Sequence, residues 1–267
     1  MYHPPPAVPT AGGATIIASE YVAGAPADGY MILSASSSSL TIAPQVYKNL
    51  KFAVSDFQPI AGMGVTPYVI AVSTALPVTT VKEFIAYAKE RPDELNYYQL
   101  SPGTMPHLFS EVFFESTGIK ATPISYKGET PALNALLANE IQFMPVTLSA
   151  GLLEQHNAGK IRIVGVADTE RSPAIPDVPT FEEAGLAGVI ATAWFGILGP
   201  KGLSDDVVEA LEQAMGGALK DEQLRARLLA TGTTPRASTA QELESIMSEQ
   251  YALWGSIIQR LGITLEQ

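Results

Sequence analysis

The sequence predicts an α/β protein. Short apolar runs rich in strand formers alternate with segments whose apolar residues recur at helical spacing. Helix caps and turn residues punctuate the alternation, and no flexible Gly/Ser linker divides the chain. Strands that alternate with helices imply parallel sheets with helices on both faces. The 267 residues suffice for a sizeable core and one or two domains.

The first strand is read at Tyr30-Met31-Ile32-Leu33, after the turn residues Asp28-Gly29. Tyr68-Val69-Ile70-Ala71-Val72 is the second. Thr80 and Glu83 form a capping box, with Val81, Phe84, Ile85 and Ala88 as the apolar face of the helix behind it and Pro92 just beyond. Further strands are expected at 95–98, 121–126, 141–144 and 161–166, with helices at 105–116, 130–139 and 148–157 between them. The last quarter is helical. Ser204 is read as the cap of a helix with Val207, Val208, Leu211, Ala214 and Met215 on one face. Leu224, Leu228 and Leu229 make the next stripe, with Gly232 after it. Thr239 and Glu242 form a second capping box. It opens a long helix with Leu243, Ile246, Met247, Trp254, Ile257, Ile258 and Leu261 inward, and Gly262 closes it.

Composition narrows the function. A net charge of −11 argues against nucleic acid, whose binding needs Lys and Arg on phosphates, and against an anionic membrane surface. There are no cysteines, so disulfides, thiol catalysis and thiolate metal sites are excluded. No apolar run approaches ~20 residues, and Met1–Pro6 has neither the basic nor the apolar region of a signal peptide. There is no Gly-x-Ser-x-Gly elbow and no phosphate loop ending in Gly-Lys-Ser/Thr. The histidines His3, His107 and His156 lack metal-ligand spacing. Nothing in the residues points to an enzyme, a metal or a cofactor.

Several motifs occur in a defined order: Ala27-Asp28-Gly29-Tyr30, Tyr126-Lys127-Gly128, the proline-stiffened run Arg171–Thr180 and Trp194-Phe195-Gly196. In that order they resemble the solute-binding receptors of tripartite tricarboxylate transporters, the Bordetella uptake family. The resemblance runs from about Thr10 to the C-terminus. It implies a two-lobed, type II periplasmic-binding-protein-like fold, with two parallel-rich sheets and a cleft between them. Residues 1–67 and 193–267 would form lobe one and 68–192 lobe two, with crossings near 64–68 and 190–196. It further implies a periplasmic receptor, with no cofactor, that passes a small carboxylate to transporter membrane subunits. The alternative is a ligand-sensing or interaction protein that kept the fold and lost transport.

The resemblance also implies a short front. Matching text starts around Pro9–Gly13, Tyr2–Val8 is unpatterned, and about one strand–helix–strand unit of lobe one is expected to be missing. Lobe one is therefore expected to be the less stable.

Candidate ligand contacts follow from residue chemistry and from the resemblance together. Ser36, Ser37, Ser38 and Ser39 offer hydroxyls and backbone N–H groups after a strand, suited to a carboxylate; a polar loop with an N-cap serine is the plain reading. Ser101, Gly103, Thr104 and His107 form the matching loop and helix start of the second lobe. The plain reading of His107 is a satisfied, half-buried histidine, and a helix N-terminus should keep it neutral. Leu100, Pro102 and Met105 make that loop more apolar than the family pattern. Val146-Thr147 stands where the family usually has an Asp followed by an Asn, so Thr147 offers only a hydroxyl and amino acids are expected to be poor ligands. Dicarboxylates or aromatic carboxylates are favoured instead. Tyr68 is expected at the cleft, and Thr66, Pro67, Ala193 and Trp194 at the hinge. The pair Trp194-Phe195 could pack the hinge or stack a ligand, and packing is favoured because aromatics dominate cores. Lys127 either faces the anion or is a solvated turn lysine, and Gly12-Gly13 is a weak turn or anion-nest signal.

Overall fold

The computed structural model of the chain describes residues 16–100 and 103–264. In chain order its elements are α1 (Ile16–Ala23), β1 (Leu33–Ser36), α2 (Ala43–Val46), β2 (Phe57–Ser73), α3 (Val81–Lys89), β3 (Asn96–Gln99), α4 (Met105–Thr117), β4 (Thr122–Ser125), α5 (Glu129–Leu137), β5 (Phe143–Thr147), α6 (Ala150–Asn157), β6 (Ile161–Val166), β7 (Thr192–Pro200), α7 (Asp205–Ala218), α8 (Glu222–Ala230), β8 (Thr234–Ser238) and α9 (Ala240–Leu261). The readings at Tyr2–Val8, Gly12-Gly13, Ser101 and Pro102 fall outside the described residues.

The chain divides into two compact units: Met1–Gly64 with Trp194–Leu224 and Pro235–Gln267, and Val65–Ala193 with Arg225–Thr234. The stretch Arg225–Thr234, read from sequence as part of lobe one, groups with the second unit. The reason is contact across the chain: the backbone at Gly232 lies so close to the Leu148 carbonyl that a Cβ there would stand 2.6 Å from the oxygen. Thr233 Oγ1 also lies 2.9 Å from Thr66 Oγ1.

In the first unit β1 pairs antiparallel with β7, from Leu33 opposite Leu198 to Ser36 opposite Phe195. β7 lies beside β2, and β8 also pairs with β2. Two helices cover this sheet largely through the faces expected of them, except that Ala214 of α7 is exposed. Val207, Val208, Leu211 and Met215 of α7 pack on Ile60, Ala61, Ile197 and Leu203. Leu243 of α9 reaches Gly196, where a Cβ would sit 2.8 Å from its methyl carbon, so a glycine there lets the helix approach the strand. Leu243, Met247, Trp254, Ile257 and Ile258 are buried; Ile246 and Leu261 are only half-buried. The Thr239–Glu242 box closes as expected and Gly262 ends the helix at φ 64°. Ser204 precedes α7 but makes no side-chain cap bond.

In the second unit β3 is parallel to both β4 and β5. β2 pairs antiparallel with β5 and with β6. The sheet is therefore mixed, where the alternation alone suggested parallel pairing throughout. Helical spacing reports which face is apolar but not the direction in which a strand enters a sheet. β2 also begins eleven residues before the expected Tyr68 and spans 17. Pro59, Gly62, Gly64 and Pro67 break the residue pattern without breaking the strand. One face packs Val69, Ala71, Met144, Val146, Ile161 and Ile163 under α5 and α6. Elsewhere in the unit Phe143 centres an aromatic group, with ring centroids 5.0 Å from Phe84 and 5.4 Å from Tyr97. The Thr80–Glu83 box caps α3, and Glu83 also takes hydrogen bonds from Thr79.

The Arg171–Thr180 run folds on itself. Arg171 Nε donates to both Glu183 oxygens at 3.0 and 2.8 Å, one of its NH groups donates to the Pro176 carbonyl, and Thr180 caps the turn that carries Glu183. Its part is structural: it seats Phe181, fully buried, against Gly165 and within 6.2 Å of Phe109.

Candidate functional site

The carboxyl ends of β3, β4 and β5 lie at one edge of the second unit, because these strands are parallel neighbours. Each leads into a helix. Thr104 precedes α4, Gly128 precedes α5 at φ 111°, and Ser149 caps α6 by accepting from the Leu152 N–H. Three helix N-termini thus gather at that edge, with their partial positive charge and unpaired N–H groups. A small anion is held well by such an arrangement, which uses dipoles and neutral donors and needs no metal. Among the described residues no cluster of His, Cys, Asp or Glu is placed to hold a metal ion. No helix among them is long and apolar enough to cross a membrane.

The residues expected in this unit fall as follows. Thr147 ends β5, half-buried, and is paired in register with Tyr68. Tyr68 is 3% exposed and its ring lies 5.2 Å from Phe109 of α4; burial pushes its phenol far up from the ordinary value. It packs inside the unit rather than presenting its hydroxyl to a ligand. Gly103 adopts φ 76° and is buried, and its N–H donates to His107 Nδ1 at 3.3 Å. His107 therefore serves the turn that opens α4, with Nδ1 as an acceptor, and its Nε2 is 3.7 Å from Glu111 Oε1. Its pKa is lowered, as expected, but the leading cause is burial, opposed by the Glu111 charge. Lys127 is exposed in its turn.

Two residues at this edge were not singled out as ligand contacts. Ser149 Oγ donates a short hydrogen bond to Glu129 Oε1, tying the starts of α5 and α6 together. Glu129 also lies near enough to Tyr98 that its charge, after burial, raises that phenol. An acid directly after Gly128 at a helix start reads as a helix-end charge; only the fold sets it beside the end of β5.

In the first unit the serine run is not a loop. β1 extends to Ser36, three residues beyond the expected end, and Ser38–Ile42 form a π-helical turn before α2. Such turns are rare and gather at functional sites. Ser39 is fully buried; its hydroxyl donates to the Ser36 carbonyl at 2.9 Å and accepts from the Ser36 N–H. Ser37 is fully buried as well, and its Oγ has no hydrogen-bond partner in the structure. Ser36 is half-buried and Ser38 exposed. Of the four hydroxyls, Ser36 and Ser38 are the accessible pair. Trp194 is 1% exposed and its Nε1–H donates to Thr41 Oγ1 at 3.2 Å, which favours packing over ligand stacking. The boundary between the units falls between Ala193 and Trp194, and between Gly64 and Val65, just before Thr66 and Pro67.

The model of the tripartite tricarboxylate transporter family receptor matches residues 7–263. The chain belongs to that family. A UPF0065 protein of Bordetella pertussis is 33% identical over 255 residues, covering 96% of this chain and 78% of its own length. BugT of the same organism is 28% identical, covering 96% and 79%. Among solved structures, Rpa4515 of R. palustris with adipate aligns with a TM-score of 0.79 at 29% identity, over 96% of this chain and 85% of that one. MatC of Rhodopseudomonas palustris with bound malate aligns with a TM-score of 0.72 at 25% identity, over 92% and 85%. These family receptors are periplasmic solute-binding proteins rather than enzymes, and the two-lobed α/β fold of the family is the fold of this chain.

The two described histidines give this receptor a pH signature. His156 Nδ1 accepts from the Ile163 N–H at 3.2 Å, and its pKa is lowered, first by burial and also by Arg162. For both imidazoles the folded pKa lies below the ordinary 6.5. Well above pH 6.5 neither folded nor unfolded chain is protonated there, and stability is full. As pH falls below 6.5 the unfolded chain binds protons first, so stability drops until the folded pKa is passed. Glu83 and Glu183, held below 4.5 by their hydrogen bonds, add a separate loss only at more acid pH. Urea titrations between pH 7.5 and 5 are expected to show the first loss, and His107→Gln with His156→Gln to flatten it.

Proposed function

We propose that the protein is a periplasmic receptor that binds a small organic carboxylate and delivers it to the membrane subunits of a tripartite tricarboxylate-type transporter. The observation that carries this reading is the gathering of three helix N-termini at the carboxyl edge of β3–β5, where Thr104 and Thr147 add hydroxyls. The adipate- and malate-bound relatives support the ligand type. Within the first unit the proposed ligand contacts are Ser36 and Ser38, with Ser37 and Ser39 shaping the turn. Within the second unit the proposed contacts are Thr104 and Thr147, with Gly103, His107 and Tyr68 supporting them. Thr66, Pro67, Ala193 and Trp194 are the proposed hinge residues, beside the points where the chain passes from one unit to the other. A dicarboxylate or an aromatic carboxylate is the favoured ligand.

A thermal-shift screen of mono-, di- and aromatic carboxylates tests the reading, since a ligand bound only by the folded chain raises its melting temperature. A hit at micromolar concentration is expected, with affinity lowered about tenfold or more in Ser38→Ala/Thr147→Val through lost charge-assisted hydrogen bonds. A flat response across the panel would remove the proposal.

A further inference from the structure

We infer that Gly232 and Thr233 are positioning residues for ligand binding. They fasten the connection between α8 and β8 onto the strand ends that carry Thr147 and the proposed hinge residues Thr66 and Pro67, and so hold Thr147 in place for the ligand. The inference rests on the carboxylate-receptor reading above and adds to it residues that the ligand need not touch.

The connection is held at two points, both inside the second unit. Gly232 closes α8: its N–H donates to the Leu229 carbonyl at 2.9 Å and its φ is 86°. That left-handed backbone brings the chain onto the end of β5. A Cβ at position 232 would stand 2.6 Å from the Leu148 carbonyl oxygen and 2.7 Å from the carbonyl carbon. Those atoms are backbone, so no side-chain rotation relieves the clash, and only glycine lets the two stretches lie so close. One residue on, Thr233 Oγ1 lies 2.9 Å from Thr66 Oγ1, and Thr66 is buried. A buried hydroxyl needs a partner, so the pair fixes the register of the contact.

Both anchors converge on Thr147. Leu148 follows it directly, is buried, and donates its N–H to the Pro67 carbonyl at 2.9 Å. Pro67 is the neighbour of Thr66, and Tyr68 is paired in register with Thr147. Leu148 is thus held through its N–H by β2 and bounded at its carbonyl by Gly232. The Thr147 hydroxyl makes no hydrogen bond among the described residues, which leaves it for a ligand and leaves its position to the backbone on either side. The chain passes from unit to unit at Thr234–Pro235, directly after the Thr66–Thr233 pair, as it does beside the proposed hinge residues. A fastening at that place keeps the end of β5 fixed where the backbone changes unit.

Calorimetry with adipate and malate reads the effect. Thr233→Val removes one hydroxyl and leaves that of Thr66 unpaired. Both ligands are expected to bind about three- to tenfold weaker, by the same factor, because a position has changed and not a ligand contact. Thr233→Ser, which keeps the hydroxyl, should bind within about twofold of the wild type; a serine variant as weak as the valine one would overturn the inference. The deciding readout is a double-mutant cycle. If Thr233 acts through Thr147, Thr233→Val costs little further affinity in a Thr147→Val background. Additive losses, or unchanged affinity in Thr233→Val alone, would overturn the inference and leave the receptor reading standing. Gly232→Ala tests the other anchor on the ligand-free chain. Hydrogen exchange at the Leu148 amide is expected to quicken about tenfold or more, while the amides of β3 keep their protection. Unchanged protection at Leu148 would count against the fastening itself. If the wild-type chain binds no carboxylate at all, the receptor reading falls and this inference with it.

Discussion

Phe143→Ala is expected to cost about 3–5 kcal/mol of stability, because it removes the centre of the second unit's aromatic group and leaves a cavity. Phe143 is fully buried, T-shaped against Phe84 at 5.0 Å, stacked with Tyr97 at 5.4 Å and 6.2 Å from Phe114. These rings come from β3, β5, α3 and α4, whose mutual placement sets the edge where the proposed ligand binds. Urea denaturation of the full chain is the check. A loss near 1 kcal/mol would mean that the surrounding rings collapse into the gap. Phe143→Leu, which keeps most of the apolar volume, should cost clearly less.

Trp194→Ala should be as damaging, again about 3–5 kcal/mol, but in the first unit. The indole is 1% exposed and ties β7 to the π-helical turn through the Thr41 hydroxyl. Trp194→Phe keeps most of the packing and loses that bond, leaving the fully buried Thr41 hydroxyl without its indole donor, so a cost of about 1–3 kcal/mol is expected. Following unfolding by tryptophan fluorescence in the Phe variant, which retains Trp254, and by far-UV circular dichroism shows whether the units melt together. Near-neutral behaviour of Trp194→Ala would mean that the residue is a mobile hinge contact rather than packing.

Much of the site's scaffold follows from local chemistry. The capping boxes at Thr80–Glu83 and Thr239–Glu242, the stop at Gly262 and the apolar stripe of α7 each depend on residues three or four apart, and each forms as the sequence predicts. The starts of α4, α5 and α6 also lie within one or two residues of the helices read from periodicity. The motif order points to the receptor family that the family model then matches. These features need only a short stretch of chain to exist, so one sequence carries them.

Direction, length and hydroxyl use are different. β2 joins the sheet against the direction of β5 and β6, which pair with it from Tyr68 onward, and it runs through two prolines and two glycines while β7 and β8 also lie against it. Two of the four serines are buried, one bonded to the turn's own backbone and one left without a partner, since the π-helical turn rotates them inward. Gly232 and Thr233 join the second unit through contacts with Leu148 and Thr66 more than eighty residues away in the chain. Glu129 acquires its neighbour Ser149 in the same way, across twenty residues. The sequence by itself determined the elements, their caps and the family. Tertiary structure alone decided strand direction, which hydroxyls stay exposed and which acid stands at the proposed site, because those depend on contacts between segments that no local pattern encodes.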